Sequence, residues 1–403
     1  MGTREFVVMI AMLQALQALA IDAMLPALGV IAQDLGAPGS NDRQLIIGIF
    51  LICSGLSSLI PGTLADRFGR RPVLFVCLTA YCLLNIACAL ARDFESLIVL
   101  RGLTGLFSAG LMVLPSAIIR DRFDGDRMAR LQSLVSMMFM IVPVIAPALG
   151  QGVLLFAGWR WIFGIMATMS AVMLVWSALR LPETLDPAFR QPVRLSTIAA
   201  NLRVIVTTRT SVGYVLALAA TSAMFFNFLS TSQQLIAEHF GAGRSFPLVF
   251  ASMAAMLAVA NFTNSRLVMR FGARRVSHTA LLTYICIGAA QVILAFSPHE
   301  TLWQFAVLMG LTMCLTGFTS ANFTAIALQP FARMAGAAAS VLVFLRMVLG
   351  AMGGAAVGAA YDGTSRPLAL TILLTGLIAL VLVLWSERGR LFRRLTWPPA
   401  PQR

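Results

Sequence analysis

With 59% hydrophobic residues, 11% charged residues and a mean hydropathy of +0.86 over 403 positions, the chain is too apolar for a soluble globule or a disordered segment. Its net charge of +14 rests on arginine alone, because the sequence contains no lysine. No nucleic acid is needed to explain that excess, which is distributed along the chain as a topology signal.

Apolar runs of about 18 to 25 residues, the length of helix that crosses ~30 Å of hydrocarbon, recur between short polar breaks. They predict an all-α integral membrane protein with twelve spans near 6–29, 45–64, 73–91, 96–119, 131–155, 161–180, 212–237, 247–265, 277–297, 302–326, 336–360 and 367–386. The first run is too long, and too closely followed by the second, for a cleaved leader. Of the 30 arginines, 23 fall on the side shared by both ends of the chain. Five lie opposite (Arg43, Arg92, Arg160, Arg244, Arg366) and two inside spans (Arg101, Arg346). Both ends are therefore expected in the cytoplasm.

Span 1 carries the single acid found within the spans, Asp22, in "ALAIDAMLPALG", with Gln14 and Gln17 before it and Met24 and Leu25 after it. A charge at that depth costs about 2.5–3.5 kcal/mol on insertion scales, so it must face protein or a wet cavity. The loop after span 2, "GTLADRFGRRPVL" (62–74), gathers Gly62, Asp66, Arg67, Gly69, Arg70 and Arg71 into a compact charge cluster able to latch two halves together. Span 4 holds Arg101 about five residues below the surface from which Asp22 lies about seven, so at 1.5 Å per residue the two share a layer. Span 5 has Pro143 and Pro147 with Gly150 one turn on, a pattern that bends a helix and strips one face of bulk for packing against span 8.

After span 6, "RLPETLDPAFRQPVRLSTIAANLRVIVTTRTS" carries three prolines and five arginines against two acids, and reads as a linker. The expected organisation is a six-helix bundle (1–183), a cytoplasmic linker (184–211), a second six-helix bundle (212–388) and a basic tail (389–403) whose arginines and Trp397 suit a headgroup interface. "LADRFGRRPV" (64–73) and "LVMRFGARRV" (267–276) match at six of ten positions, and "RMA" recurs at 127–129 and 333–335. Two repeats in one orientation imply a pseudo-two-fold axis along the membrane normal, with a ligand site between them. Candidates for the cavity wall are Gln14, Met24, Leu25, Phe225, Asn227, Phe228, Gln233, Asn322 and Arg346, of which the amides equally suit helix-to-helix hydrogen bonds.

The 62–74 loop, "LRGLTGLFSAG" around Arg101 and "PVIAPALG" (143–150) resemble the signature motifs of the major facilitator superfamily and its proton-coupled exporters. "IDAMLPAL", "FNFLSTS", "NSRLVMRFGA", "SANFTAIAL" and "MAGAAASV" narrow the resemblance to the bicyclomycin-resistance (Bcr/CflA) drug-efflux group, whose members export varied antibiotics in exchange for protons. The chain departs from that group at Ala23 and Met24, where Met-Tyr is usual after the Asp, and at Gln151, where a second Gly is common. The resemblance implies the major facilitator fold, a monomer in the bacterial inner membrane, a small lipophilic substrate, an Asp66–Arg120 pair facing the start of span 11, and a seal made by span 5. Asp22 with Arg101 would handle the proton, the coupling ion; no other cofactor and no metal are expected. The competing readings are a transporter of a metabolite such as a sugar, amino acid or siderophore, and a membrane-embedded enzyme. The latter lacks a nucleophile set, and a phosphate loop would need a lysine.

Overall fold

The computed structural model describes residues 2–39, 41–123, 125–186 and 203–392. Span 1 runs as helix Thr3–Asp22, a 3₁₀ turn Leu25–Ala27 and helix Leu28–Asp34. The break follows from Pro26, which has no N–H to give to the carbonyl of Asp22 four residues back. Span 2 repeats the device: Asp42–Ser57 and Ile60–Phe68 meet at 44°, and Pro61 stands four residues after Ser57. Span 3 is Arg70–Ala89, span 4 Phe94–Arg122, span 5 Gly125–Phe156 and span 6 Arg160–Arg180.

In the second half, span 7 is Arg209–Gln233 extended by a π-helical turn Gln234–His239. Spans 8 to 12 are Phe246–Phe271, Ala273–Ala295, Leu302–Leu328, Ala335–Ala359 and Arg366–Ser386. Ten helices among the described residues are long and apolar enough to cross a membrane, and the bent span 2 makes an eleventh; span 5 contributes an apolar stretch, Ile141–Phe156. Large side chains such as Val76, Leu155, Phe156, Ile293 and Trp303 are exposed on the outer surface, where lipid would cover them.

Each half packs on itself: span 2 on 4, 3 on 6 and 1 on 4 and 5 in the first, span 8 on 10, 9 on 12 and 7 on 10 and 11 in the second. Two extensive seams join the halves, span 2 against span 11 and span 5 against span 8, and the break of span 1 also touches span 7. Exchanging the halves turns span 2 into 8 and span 11 into 5, so the two seams are one contact met twice. The loop repeat obeys the same symmetry, with Gly69 (φ +103°) and Gly272 (φ +84°) both in the left-handed region that a β-carbon disfavours. The side chains of the "RMA" repeats, most of the linker and the tail from 393 lie outside the described residues.

Candidate functional site

Asp22 ends the first helical segment of span 1, directly before the proline-induced break, and is only 6% exposed. Among the described residues its carboxylate has no hydrogen-bond or ion-pair partner. Arg101 reaches the same layer, as its position in the sequence requires, but addresses the backbone rather than the carboxylate. Its Nη2 donates to the carbonyl of Ala20 at 3.1 Å and its Nε to that of Ile46 at 3.1 Å. The guanidinium also stacks over Phe50 at 4.3 Å and is wholly buried, with Nη1 unpartnered among the described residues. Arg101 thus ties spans 1, 2 and 4 together beneath Asp22, five planar donors serving where a point charge could not.

The other side of the break is held by span 5. Gly150 is buried so close to it that a β-carbon there would lie 2.8 Å from the carbonyl carbon of Ala23 and 3.2 Å from its Cα. Span 5 remains one helix across Pro143 and Pro147 and packs against span 8 as well. Span 5 therefore has two partners, and span 1, which Gly150 meets, is one that the spacing did not indicate. Met24 and Leu25, in the break itself, are fully buried.

The wall candidates separate by contact. Asn322 donates to Oδ1 of Asn264 at 2.8 Å, joining spans 10 and 8. Phe228 stacks on Phe250 of span 8 with centroids 6.1 Å apart, and Gln17 donates to Ser54 Oγ at 3.0 Å. Those three are helix-to-helix contacts. Gln14 and Phe225 are half-buried, and Phe226 lies over Gly350 of span 11. Asn227 is 1% exposed and its Oδ1 has no partner among the described residues. Arg346 is half-buried in span 11, one residue before Met347, which touches Gly55 of span 2; its Nε has no partner among the described residues. Among the described residues, Asp22 of span 1 and Arg346 of span 11 make no ion pair.

At the arginine-poor end the halves are closed by polar contacts. Arg43 makes a two-pronged ion pair with Glu238, one bond of 2.8 Å, and also reaches Gln233 at 3.4 Å. Gln44 donates to Gln234 at 2.7 Å, and Asn41 donates to the carbonyls of Tyr361 at 2.8 Å and Ala359 at 3.2 Å. Gly358 lies against Gln44, with no room for a β-carbon. Burial and the nearby Glu238 carboxylate push the Tyr361 hydroxyl up to about 12, which keeps it neutral beside the pair. Gln233 belongs to this closure rather than to a mid-membrane wall. Further along, the seam continues through Gly48 against Ala355 and Gly55 against Met347, to Leu59 packed on the cluster of Phe331, Ala338 and Val341.

In the 62–74 loop, Asp66 pairs with Arg70 at 2.6 Å, one helical turn on, and not with Arg120, which is exposed. The span 4 acid is the next residue: Asp121 accepts from Arg70 Nε at 2.8 Å. The expected Asp66–Arg120 pair is corrected by this geometry, since a buried Arg70 between two carboxylates satisfies both acids locally. Arg67 lies over Phe68, Gly62 packs near Val113, and Arg71 Nη2 donates to the carbonyl of Ala178 at 2.6 Å. Glu183, the acid of "PETL" after span 6, caps the start of span 3 by accepting from the N–H groups of Arg70 (2.9 Å) and Arg71 (3.1 Å). A β-carbon on Gly69 would strike that carboxylate. The second half has the counterpart in Glu387, bonded to Arg274 Nε at 2.7 Å and to Tyr214 at 2.9 Å. Sequence reasoning missed Arg43, Glu238, Asp121 and Glu183. The matching placement of Glu183 and Glu387 just past spans 6 and 12 was the available signal for one of them.

A sequence profile described as Major Facilitator Superfamily matches residues 10–355. The chain is 25% identical over 372 residues to the bicyclomycin resistance protein homolog of Haemophilus influenzae, covering 92% of this chain and 93% of that one. It is 30% identical over 334 residues to multidrug resistance protein MdtL of Escherichia coli strain SMS-3-5, with 80% of each covered. Among solved structures it is similar to a bacterial homolog of the human lysosomal transporter Spinster, inward-facing and unoccupied, with a TM-score of 0.75 at 15% identity over 99% of this chain and 100% of that one. That last likeness speaks for the fold alone.

Proposed function

This chain belongs to the Major Facilitator Superfamily and is a multi-pass membrane transporter, and from that premise we propose that it exports small lipophilic compounds, antibiotics among them, in exchange for protons. The observation that carries the reading is Asp22: a buried carboxylate that has no partner among the described residues and stands at a proline break in span 1. Burial in a membrane is tolerated for an acid that trades its charge for a proton, and unpaired acids inside spans mark such relays. The names of the multidrug and bicyclomycin relatives favour an exporter.

In this reading both ends of the chain are cytoplasmic, the membrane is the bacterial inner one, and the Arg43–Glu238 closure faces the periplasm. A compound entering from the cytoplasm competes with the proton on Asp22. Rocking of the halves about the two seams then opens the periplasmic end, where the compound leaves and a proton reloads the acid. Arg101 positions the span 1 backbone beneath the acid, and the two seams supply the pivot.

The test is made in proteoliposomes with an imposed proton gradient and a fluorescent lipophilic dye. Asp22→Asn is expected to abolish uphill dye transport and dye-driven proton movement while leaving folding intact. An Asn variant that still pumps dye against its gradient ends the proton-exchange reading.

A further inference from the structure

The second loop repeat, Leu267–Val276, plays no part in the transport cycle described above, yet it builds one wall of a crevice of about 570 Å3 between spans 8, 9 and 10. Leu267, Phe271, Val276, Leu315 and Phe318 make the crevice apolar, and Phe392 closes its arginine-rich end. Its size is that of a ligand pocket. Arg275 stands at the rim with its guanidinium exposed, donating one bond from Nε to the carbonyl of Phe392 at 3.1 Å. The position of Phe392 is fixed from the other side by its N–H, which donates to His278 Nδ1 at 3.1 Å. Arg270, exposed on the last turn of span 8, adds a second cation at the same end.

The adjacent arginines divide their work. Arg274 turns inward to Glu387, whereas Arg275 carries no acid partner among the described residues and faces the rim. The first repeat has Pro72 where the second has Arg275, so the symmetry of the fold does not demand this cation. An apolar slot open at the surface of these spans, with an arginine at its mouth that has no acid partner among the described residues, suits a chain of hydrocarbon ending in an anion. We propose that the crevice binds an anionic phospholipid of the leaflet at the arginine-rich end, one acyl chain among spans 8 to 10 and the headgroup on Arg275. The inference rests on these helices crossing a membrane and not on the direction or coupling of transport, so the Asp22→Asn experiment and this one fail independently.

The full chain is purified from nanodiscs of equal phosphatidylglycerol and phosphatidylcholine, and the lipids retained by the protein are counted by mass spectrometry. Phosphatidylglycerol is expected to be enriched. Arg275→Gln is expected to lower its retention about fivefold, the factor equivalent to about 1 kcal/mol for one basic group at an anionic surface. Arg275→Lys, which keeps the charge and loses the planar donor to Phe392, is expected to retain the lipid. Thr279→Trp, which fills the crevice with every charge in place, is expected to lose it, with thermal unfolding confirming that each variant is folded. Equal retention of the two lipids by the unaltered chain, or unchanged phosphatidylglycerol in Arg275→Gln or in Thr279→Trp, overturns the proposal.

Discussion

The contact between Gly150 and the break in span 1 yields a prediction with its own control two residues away. Ordinary contact begins at about 3.4 Å, so an alanine β-carbon placed 2.8 Å from the Ala23 carbonyl carbon, and nearer still to its oxygen, must push span 5 away from span 1 by more than half an ångström. Overpacking of that kind costs about 1–3 kcal/mol. At Gly152, on the same helix, a β-carbon meets nothing within 4 Å, and Ala there gains up to about 1 kcal/mol of helix propensity. Gly150→Ala gains the same propensity, so the two variants should differ by the overpacking cost alone. Thermal unfolding in detergent is expected to rank Gly152→Ala at or above the unaltered chain and Gly150→Ala clearly below it. Dye efflux should fall in the second variant only, because the displaced residue adjoins Asp22. A Gly150→Ala protein as stable and active as Gly152→Ala would refute the claim that span 5 braces the break.

Arg43→Gln removes a two-pronged but partly exposed ion pair, worth about 0.2–1 kcal/mol, and should raise the fraction open at the arginine-poor end up to about fivefold. Distances between spin labels at Gln33 and His299 read that shift, and high salt should mimic it. Gly69→Ala combines left-handed backbone with a collision against Glu183, whereas Gly272→Ala has the backbone strain alone, so the first should destabilise more in thermal unfolding. Arg101→Lys gives up the Ile46 bond and the stacking on Phe50; losing a hydrogen bond to a buried charge costs about 1.5–3 kcal/mol, read as a lower unfolding temperature, while the number of protons moved per dye molecule stays constant.

Much of this was legible without coordinates. Hydrocarbon accepts a backbone only when its hydrogen bonds are satisfied within the segment, so twenty apolar residues in a row can be little but a spanning helix, and composition alone fixes the class. The breaks in spans 1 and 2 follow from single prolines, which lack the N–H that a continuous helix would use. Asp22 stood out because a carboxylate in an apolar run has no bland explanation, and the shared depth of Asp22 and Arg101 follows from helical rise.

What those groups touch is another matter. Arg101 lies at the depth the sequence assigns, yet the carbonyls of Ala20 and Ile46, not the nearby acid, occupy its donors, because helix packing sets which groups meet within a layer. Asp66 found Arg70 one turn away instead of Arg120, and Gln233 joined the closure with Arg43. The Arg43–Glu238 pair joins residues 195 apart in sequence, and no local pattern encodes such a meeting. Residue type and periodicity determine which segments enter the membrane and which groups are costly there. Partnership is decided only when the two bundles pack, since a side chain's neighbours across a seam depend on the rotation and height of whole helices, and these no single helix contains.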